Sequence, residues 1–267
     1  MKNISILGCG WLGFPLAQTL LTKGFSIEGS TTSLAKISRL QTAGIHPFLI
    51  ALETDGVSGA INDFLKDSSI LIIDIPPKLR GNNKENFVAK IEALIPFIEK
   101  STIENVLFIS STSVYSDTND QVTEETALNP DSEGGKQLAT VEELLRHNKR
   151  FKCTVLRFGG LIGEDRNPIH FLAGQKNLKN PDAPINLIHQ KDCIGIILKI
   201  IEDSSWGETY NAAAPMHPTR EAYYTQKALE LNLVPPTFKH DEPSVGKTIL
   251  STKVMEKLEY TFTITHL

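Results

Sequence analysis

Apolar positions run along this chain in two rhythms: short β-branched stretches, and longer stretches in which apolar residues return every three or four positions. The first repeat organises the rest. Ile4, Ile6 and Leu7 form a short run, and Gly8, Gly10 and Gly13 follow at the spacing G-x-G-x-x-G. Leu12, Leu16 and Leu20 then recur at helical spacing up to Gly24. This pattern predicts strand, tight turn and helix, and Pro15 is tolerated because a missing N–H costs little in a first helical turn.

The same reading predicts a second strand over 25–30, a helix marked by Leu34, Ile37 and Leu40, and a third strand over 45–52. A turn at Asp55-Gly56 and a helix from Val57 to Lys66 come next. Ser69 to Ile75 is a run apolar in all but Ser69 and Asp74, as in a central parallel strand buried on both faces, and stops at Pro76-Pro77. Phe87, Ile91, Leu94, Ile95 and Ile98 share one helix face, and strands are predicted over 105–109, 153–157 and 209–212. Helices carry Leu138, Val141, Leu144 and Leu145, then 194–201 and 219–231. Strands alternating with helices predict an α/β fold of Rossmann type, a doubly wound parallel sheet with right-handed crossovers.

A chain of 267 residues suffices for one large α/β domain or a nucleotide domain with an added lobe. The hydrophobic 40% and charged 22% are ordinary for a globular protein. A net charge of -4 without a basic run argues against nucleic acid as a partner. The first strand begins so early that a signal peptide has no room, and no apolar stretch is long enough for a membrane span, so a cytoplasmic location is expected, with no membrane partner. Cys9, Cys153 and Cys193 are too far apart to suggest a disulfide framework or a metal site.

The glycine loop carries the clearest chemistry. Gly8 permits the turn, Gly10 lets a pyrophosphate approach the backbone and Gly13 lets helix and strand pack closely. Cys9, Trp11 and Leu12 complete a cradle whose N–H groups face the phosphates at the positive end of the helix. Cys9 at such a site reads either as a reactive thiol or, more simply, as a small residue that fits. At the tip of the second strand an NAD site usually has Asp or Glu, whereas this chain has Ser30, Thr31, Thr32 and Ser33, with Lys36 and Arg39 beyond. Hydroxyls and cations suit a 2′-phosphate, so NADP is the preferred cofactor and NAD the other. Ser33 equally reads as a helix cap. Ile75, Pro76 and Pro77 either pass over the cofactor or form a rigid turn.

Taken together, G-x-G-x-x-G, Ser110-Ser111-Thr112-Ser113-Val114-Tyr115, Thr123-Glu124-Glu125-Thr126 with Asn129-Pro130, Leu156 to Gly163, Ile188 to Asp192 and Glu208 to Asn211 resemble the short-chain dehydrogenase/reductase superfamily. The likeness is to its NAD-dependent epimerase/dehydratase branch and covers nearly the whole chain. It implies a Rossmann domain over 1–160, to which a strand and helix at about 186–213 return, and a mainly substrate-binding lobe over 161–267. It also implies that Ser111 orients the reacting oxygen, that Ser110, Phe158, Gly159 and Gly160 lie beside the cofactor, and that Lys136 holds the nicotinamide ribose. In the family a Tyr-x-x-x-Lys pair moves the proton, and the matching stretch here is Ser132-Glu133-Gly134-Gly135-Lys136, so the Lys is present and the Tyr is not. Serine has no acidity near neutral pH, so either another group transfers the proton, or the activity is lost, or the register of the match is shifted; Tyr115 is the nearest phenol, at a position the family usually uses structurally.

Thr112 and Ser113 stand where the family's dehydratases carry an Asp-Glu pair, which argues against dehydration. Arg166, His170, Lys247 and Lys253 are candidate substrate contacts or plain surface residues, and His189 with Asp192 matches a pair that supports the fold. The resemblance thus implies an oxidoreductase or epimerase acting on a small hydroxyl or keto compound, nucleotide sugars included, as monomer or homodimer. The alternative is a dinucleotide-binding redox sensor without turnover.

Overall fold

The computed structural model describes residues 3–77 and 85–264. Seven parallel strands form the central sheet: β1 (Asn3–Leu7), β2 (Ser26–Thr31), β3 (His46–Leu49), β4 (Ser68–Ile73), β5 (Asn105–Ser111), β6 (Lys152–Phe158) and β7 (Thr209–Ala212). Their order across the sheet is β7-β6-β5-β4-β1-β2-β3. The winding therefore reverses between β1 and β4, the kind of crevice in which open α/β sheets bind ligands.

Helices cover both faces because the central strands are apolar on both. The chain supplies α1 (Gly13–Thr22), α2 (Ile37–Thr42), α3 (Ile61–Leu65), α4 (Phe87–Glu99), α5 (Glu133–Arg146), α6 (Ile169–Leu172), α7 (Gln190–Glu202), α8 (Arg220–Glu230) and α9 (Thr252–Lys257). One core packs Leu16 and Leu20 of α1 and Ile196, Ile197 and Ile200 of α7 against Ile4, Ile6 and Ile72. The other packs Phe64 of α3, Phe87, Ile91 and Leu94 of α4 and Val141 and Leu145 of α5 against Leu71, Ile73 and Val106. A third, smaller core around Ile162, Ile169, Tyr223, Tyr224 and Phe238 holds α6 against α8.

Two expectations need correction near β3. The predicted strand over 45–52 breaks after Leu49, and Ala51–Glu53 pairs instead with Gly56–Ser58 as an antiparallel hairpin. Val57 is therefore a strand residue, and the predicted helix begins only at Ile61. The β4 strand also ends at Ile73, two residues before its apolar run does.

The C-terminal segment is pinned to α7 by one carboxylate. Buried Asp192 accepts hydrogen bonds from the Tyr260 hydroxyl at 2.8 Å, the Thr263 N–H at 2.7 Å and its hydroxyl at 2.8 Å, and the Ile264 N–H at 3.1 Å. Among the described residues no helix is long and apolar enough to cross a membrane.

Candidate active site

At the carboxyl end of β1 the three glycines differ in what surrounds them. Gly8 has φ +110°, and a Cβ there would collide with the Asp74 carbonyl oxygen. A Cβ at Gly13 would collide with the Gly8 carbonyl oxygen, so α1 can approach β1 only without a side chain. Gly10 is different: a Cβ there meets nothing within 4 Å, which leaves its face open to a ligand. Among the described residues the N–H groups of Trp11 and Leu12 take no protein acceptor. Free N–H groups at the start of α1 beside an open glycine are what a pyrophosphate requires.

This loop opens on a cleft of about 410 Å³ lined by Leu7, Gly8, Cys9, Gly10, Ser30, Thr31 and Thr32 on one side. Its far side is Ile50, Ala51, Leu52, Ile75, Pro76 and Phe87, an apolar slot of a kind that accepts a flat aromatic base. Lys36, Glu53, Asp74, Glu85 and Lys90 add charge, and Lys90 pairs with Glu85 at 2.5 Å. A larger hollow of about 930 Å³ is lined by Phe25, Ser69, Asn105 and Lys152, at the amino ends of the strands and away from this loop.

Several predicted contacts have structural duties. The Ser30 hydroxyl accepts the Gly8 N–H at 2.9 Å and so braces the loop, and Thr31 Oγ1 accepts the Ser33 N–H at 3.1 Å. Thr32 and Lys36 line the cleft, whereas Arg39 lies over the Phe14 ring at 4.1 Å. Cys9 is buried, and desolvation, helped by the charge of Asp74, pushes its thiol up to about 12. It fills the space above Gly29, where a Cβ would lie 2.8 Å from its Sγ, so the small-residue reading fits and the reactive one does not.

Trp11 is held from outside the loop. Its indole N–H donates to Asp165 at 2.8 Å, its carbonyl accepts from Gln190 Nε2 at 2.7 Å, and the Arg166 guanidinium lies 4.9 Å above its ring. Arg166 thus reaches the glycine loop, a placement that its position in a Pro- and Asn-rich stretch gave no reason to expect. Leu12, which precedes α1, points into the core.

The end of the cleft region at β5 departs further from expectation. Ser111 sits at the carboxyl end of β5, in register with Phe158 of β6, and its hydroxyl accepts the Ser113 N–H at 3.2 Å. Ser110 turns the other way, donating to buried Glu142 at 2.5 Å, so its side chain faces the core rather than the cofactor. Tyr115, 2% exposed, donates to Asn211 at 3.0 Å and accepts from Arg157, whose guanidinium pairs with Glu142 at 2.5 Å. Burial raises the Tyr115 phenol above its ordinary value, which moves it away from acid/base work near neutral pH. The geometry does not support the Tyr115 expectation.

Ser132 is the N-cap of α5, its hydroxyl accepting the Gly135 N–H at 3.1 Å. A Cβ at Gly135 would collide with the Ser113 carbonyl oxygen, so the first turn of α5 rests on the Ser111–Val114 turn. Lys136, the next residue, is exposed there. Gly159 and Gly160 lie against a neighbouring backbone: a Cβ at Gly159 would lie 2.6 Å from the Asn186 carbonyl oxygen, which accepts the Gly160 N–H at 2.7 Å. Chain packing therefore accounts for both glycines. Pro77 is half-buried at the last described position before residue 85. Lys247 donates to the Tyr115 carbonyl and to Asp117, each at 2.8 Å.

The residues that spacing alone missed are Asp74, the slot of Ile50 to Leu52 with Phe87, and Lys90. The available signal was positional, since loops after parallel strands face the ligand crevice.

No family model matches the chain. Protein YeeZ of Escherichia coli K12 is 33% identical over 264 residues, covering 98% of this chain and 96% of that protein. Solved structures share the fold at lower identity. A functionally unknown conserved protein from Silicibacter pomeroyi superposes with a TM-score of 0.81 at 20% identity, over 100% of this chain and 95% of that one. A short-chain dehydrogenase/reductase superfamily protein from Agrobacterium tumefaciens with bound NAD gives 0.80 at 17%, over 98% and 92%. The UDP-glucuronic acid 4-epimerase of Bacillus cereus in complex with NAD gives 0.80 at 17%, over 98% and 92%.

Proposed function

The chain belongs to the family of Protein YeeZ and carries the short-chain dehydrogenase/reductase fold, and on that premise we propose that it is a nicotinamide-dinucleotide-binding oxidoreductase or epimerase. The observation that carries this reading is the glycine loop, closed by backbone at Gly8 and Gly13, open at Gly10, and flanked by the free N–H groups of Trp11 and Leu12. These residues fit a dinucleotide: the loop receives the pyrophosphate, the slot of Ile50, Ala51, Leu52, Ile75 and Phe87 takes the adenine, and Thr32 with Lys36 faces the adenosine ribose. Since β2 ends without a carboxylate and Lys36 stands beside it, NADP is preferred over NAD.

A bound nicotinamide supplies hydride transfer. This chain's own part is to place the reacting carbonyl or hydroxyl against Ser111 and to hold the nicotinamide ribose from Lys136. A small hydroxyl or keto compound fits, nucleotide sugars included, because a fold neighbour is a UDP-glucuronic acid 4-epimerase. The same proposal has the protein act in the cytoplasm as a monomer or homodimer.

One observation favours a second reading. Ser132 is engaged as a cap and Tyr115 is buried behind Arg157, so neither offers the proton that the family's Tyr supplies. A dinucleotide sensor without turnover has the same loop and needs no such group. Calorimetric titration with NADPH and NADH in parallel tests the shared premise, and absence of binding by both overturns it. Hydride exchange with a panel of carbonyl compounds, lowered by Ser111→Ala at unchanged cofactor affinity, favours the enzyme. Tight binding with no exchange favours the sensor.

A further inference from the structure

Asp74 follows β4 at the switch point and lines the same cleft as Gly8 and Gly10. Its carboxyl lies beside the backbone of Gly13, the first residue of α1, whose N–H draws it toward the charged form, and a Cβ at Gly13 would lie 3.1 Å from Asp74 Oδ2. An acidic group thus occupies the start of the helix whose neighbouring N–H groups, those of Trp11 and Leu12, are free for a pyrophosphate. Two negative groups within one helical turn of a half-buried cleft repel, and the cheapest relief is for one of them to bind a proton. The pyrophosphate is too strong an acid to do so near neutral pH, so the proton belongs to Asp74.

We propose that Asp74 is the proton-bearing member of the dinucleotide site, and that the pyrophosphate binds over its uncharged carboxylic acid and not over its carboxylate. This inference rests on the dinucleotide reading above and assigns the site a charge requirement. Burial already pushes the Asp74 carboxyl up to about 8 without a ligand. The groups that face it are few. Arg166, stacked on Trp11 from the loop at 163–166 beside Asp165, opposes that rise without forming an ion pair to Asp74 among the described residues. Cys9 of the glycine loop and Cys193 of α7 are thiols that burial keeps neutral. Across the cleft stand Lys36, Glu53 and the Lys90–Glu85 pair.

Calorimetric titration of the full chain with NADH from pH 6 to 9.5 tests the proposal, alongside Asp74→Asn, which keeps an oxygen beside the Gly13 N–H but cannot ionise. The wild-type Kd is expected to hold steady below about pH 7.5 and to weaken by about tenfold per pH unit beyond about 8, with net proton uptake in buffers of different ionisation heat. Asp74→Asn is expected to bind with a flat profile. A wild-type profile as flat as that of the variant, or an equal slope in both, overturns the proposal while leaving the dinucleotide reading intact.

A ligand-free measurement separates the two failures. The folded carboxyl titrates higher than the unfolded one, so its contribution to stability is present at low pH and is lost as pH rises to about 8. The wild-type Tm should therefore fall between pH 6 and 9.5 by more than that of Asp74→Asn. If it does and neither NADPH nor NADH binds at any pH, the dinucleotide reading fails and this coupling falls with it. If the two Tm profiles are parallel, Asp74 does not hold its proton near neutral pH and the proposal fails on its own account.

Discussion

The two ends of the proposed cofactor site lie along the same sheet edge and obey different rules. At the β1 end, recognition depends on what the backbone lacks: a side chain at Gly8, Gly10 and Gly13, and acceptors for two N–H groups. At the β5 end it would depend on side chains, and most of those have structural partners instead. Ser110 and Tyr115 belong to a buried network with Glu142, Arg157 and Asn211, and Ser132 caps α5. A backbone-made site tolerates little substitution but survives any change of chemistry around it. A side-chain site can lose one group and turn the rest to fold maintenance.

The largest expected effect breaks the backbone-made end. Gly13→Val places a side chain against the Gly8 carbonyl oxygen, and NADPH and NADH titrations should both become undetectable. Retained affinity would mean that the loop is not the binding site. Nearly as large, but confined to stability, is Glu142→Ala. It leaves the Arg157 guanidinium, 3% exposed, without its ion-pair partner and should cost about 3–5 kcal/mol in denaturant unfolding. A loss below about 1 kcal/mol would show that the network is not what holds β5, β6 and α5 together.

Ser111→Ala sharpens the comparison at the reacting centre. On the enzyme reading kcat should fall by about 10²-fold with cofactor affinity unchanged, and equal turnover in both proteins would remove Ser111 from the chemistry. Lys36→Ala should weaken NADPH several-fold and leave NADH near its wild-type value, since only the former carries the 2′-phosphate. The smallest effect tests Ser132 as a cap. Ser132→Ala should lower stability by about 1 kcal/mol while dinucleotide affinity stays constant, and a change in affinity without loss of stability would place its hydroxyl in the site instead.

Periodicity and glycine spell out one part of this protein before it folds. Strands of apolar residues alternating with helices of Leu and Ile at every third or fourth position lead to a parallel doubly wound sheet, because that layering buries both faces. The loop at Gly8 to Gly13 was legible for the same reason: it needs absent side chains, and glycine states an absence directly. The hairpin at 51–58 was not legible, since a short apolar run reads alike as strand or helix until a neighbour pairs with it.

Which polar groups stay free is settled by packing between distant parts of the chain. Ser30, Ser110, Tyr115 and Ser132 look like site chemistry in one dimension, and each is occupied by a partner 3 to 96 positions away. Asp74 looks like the end of a buried strand, and packing alone brings its carboxyl to the first N–H of α1. A hydroxyl or carboxyl announces what bonds it can make, but which bond it makes depends on the groups that folding sets beside it.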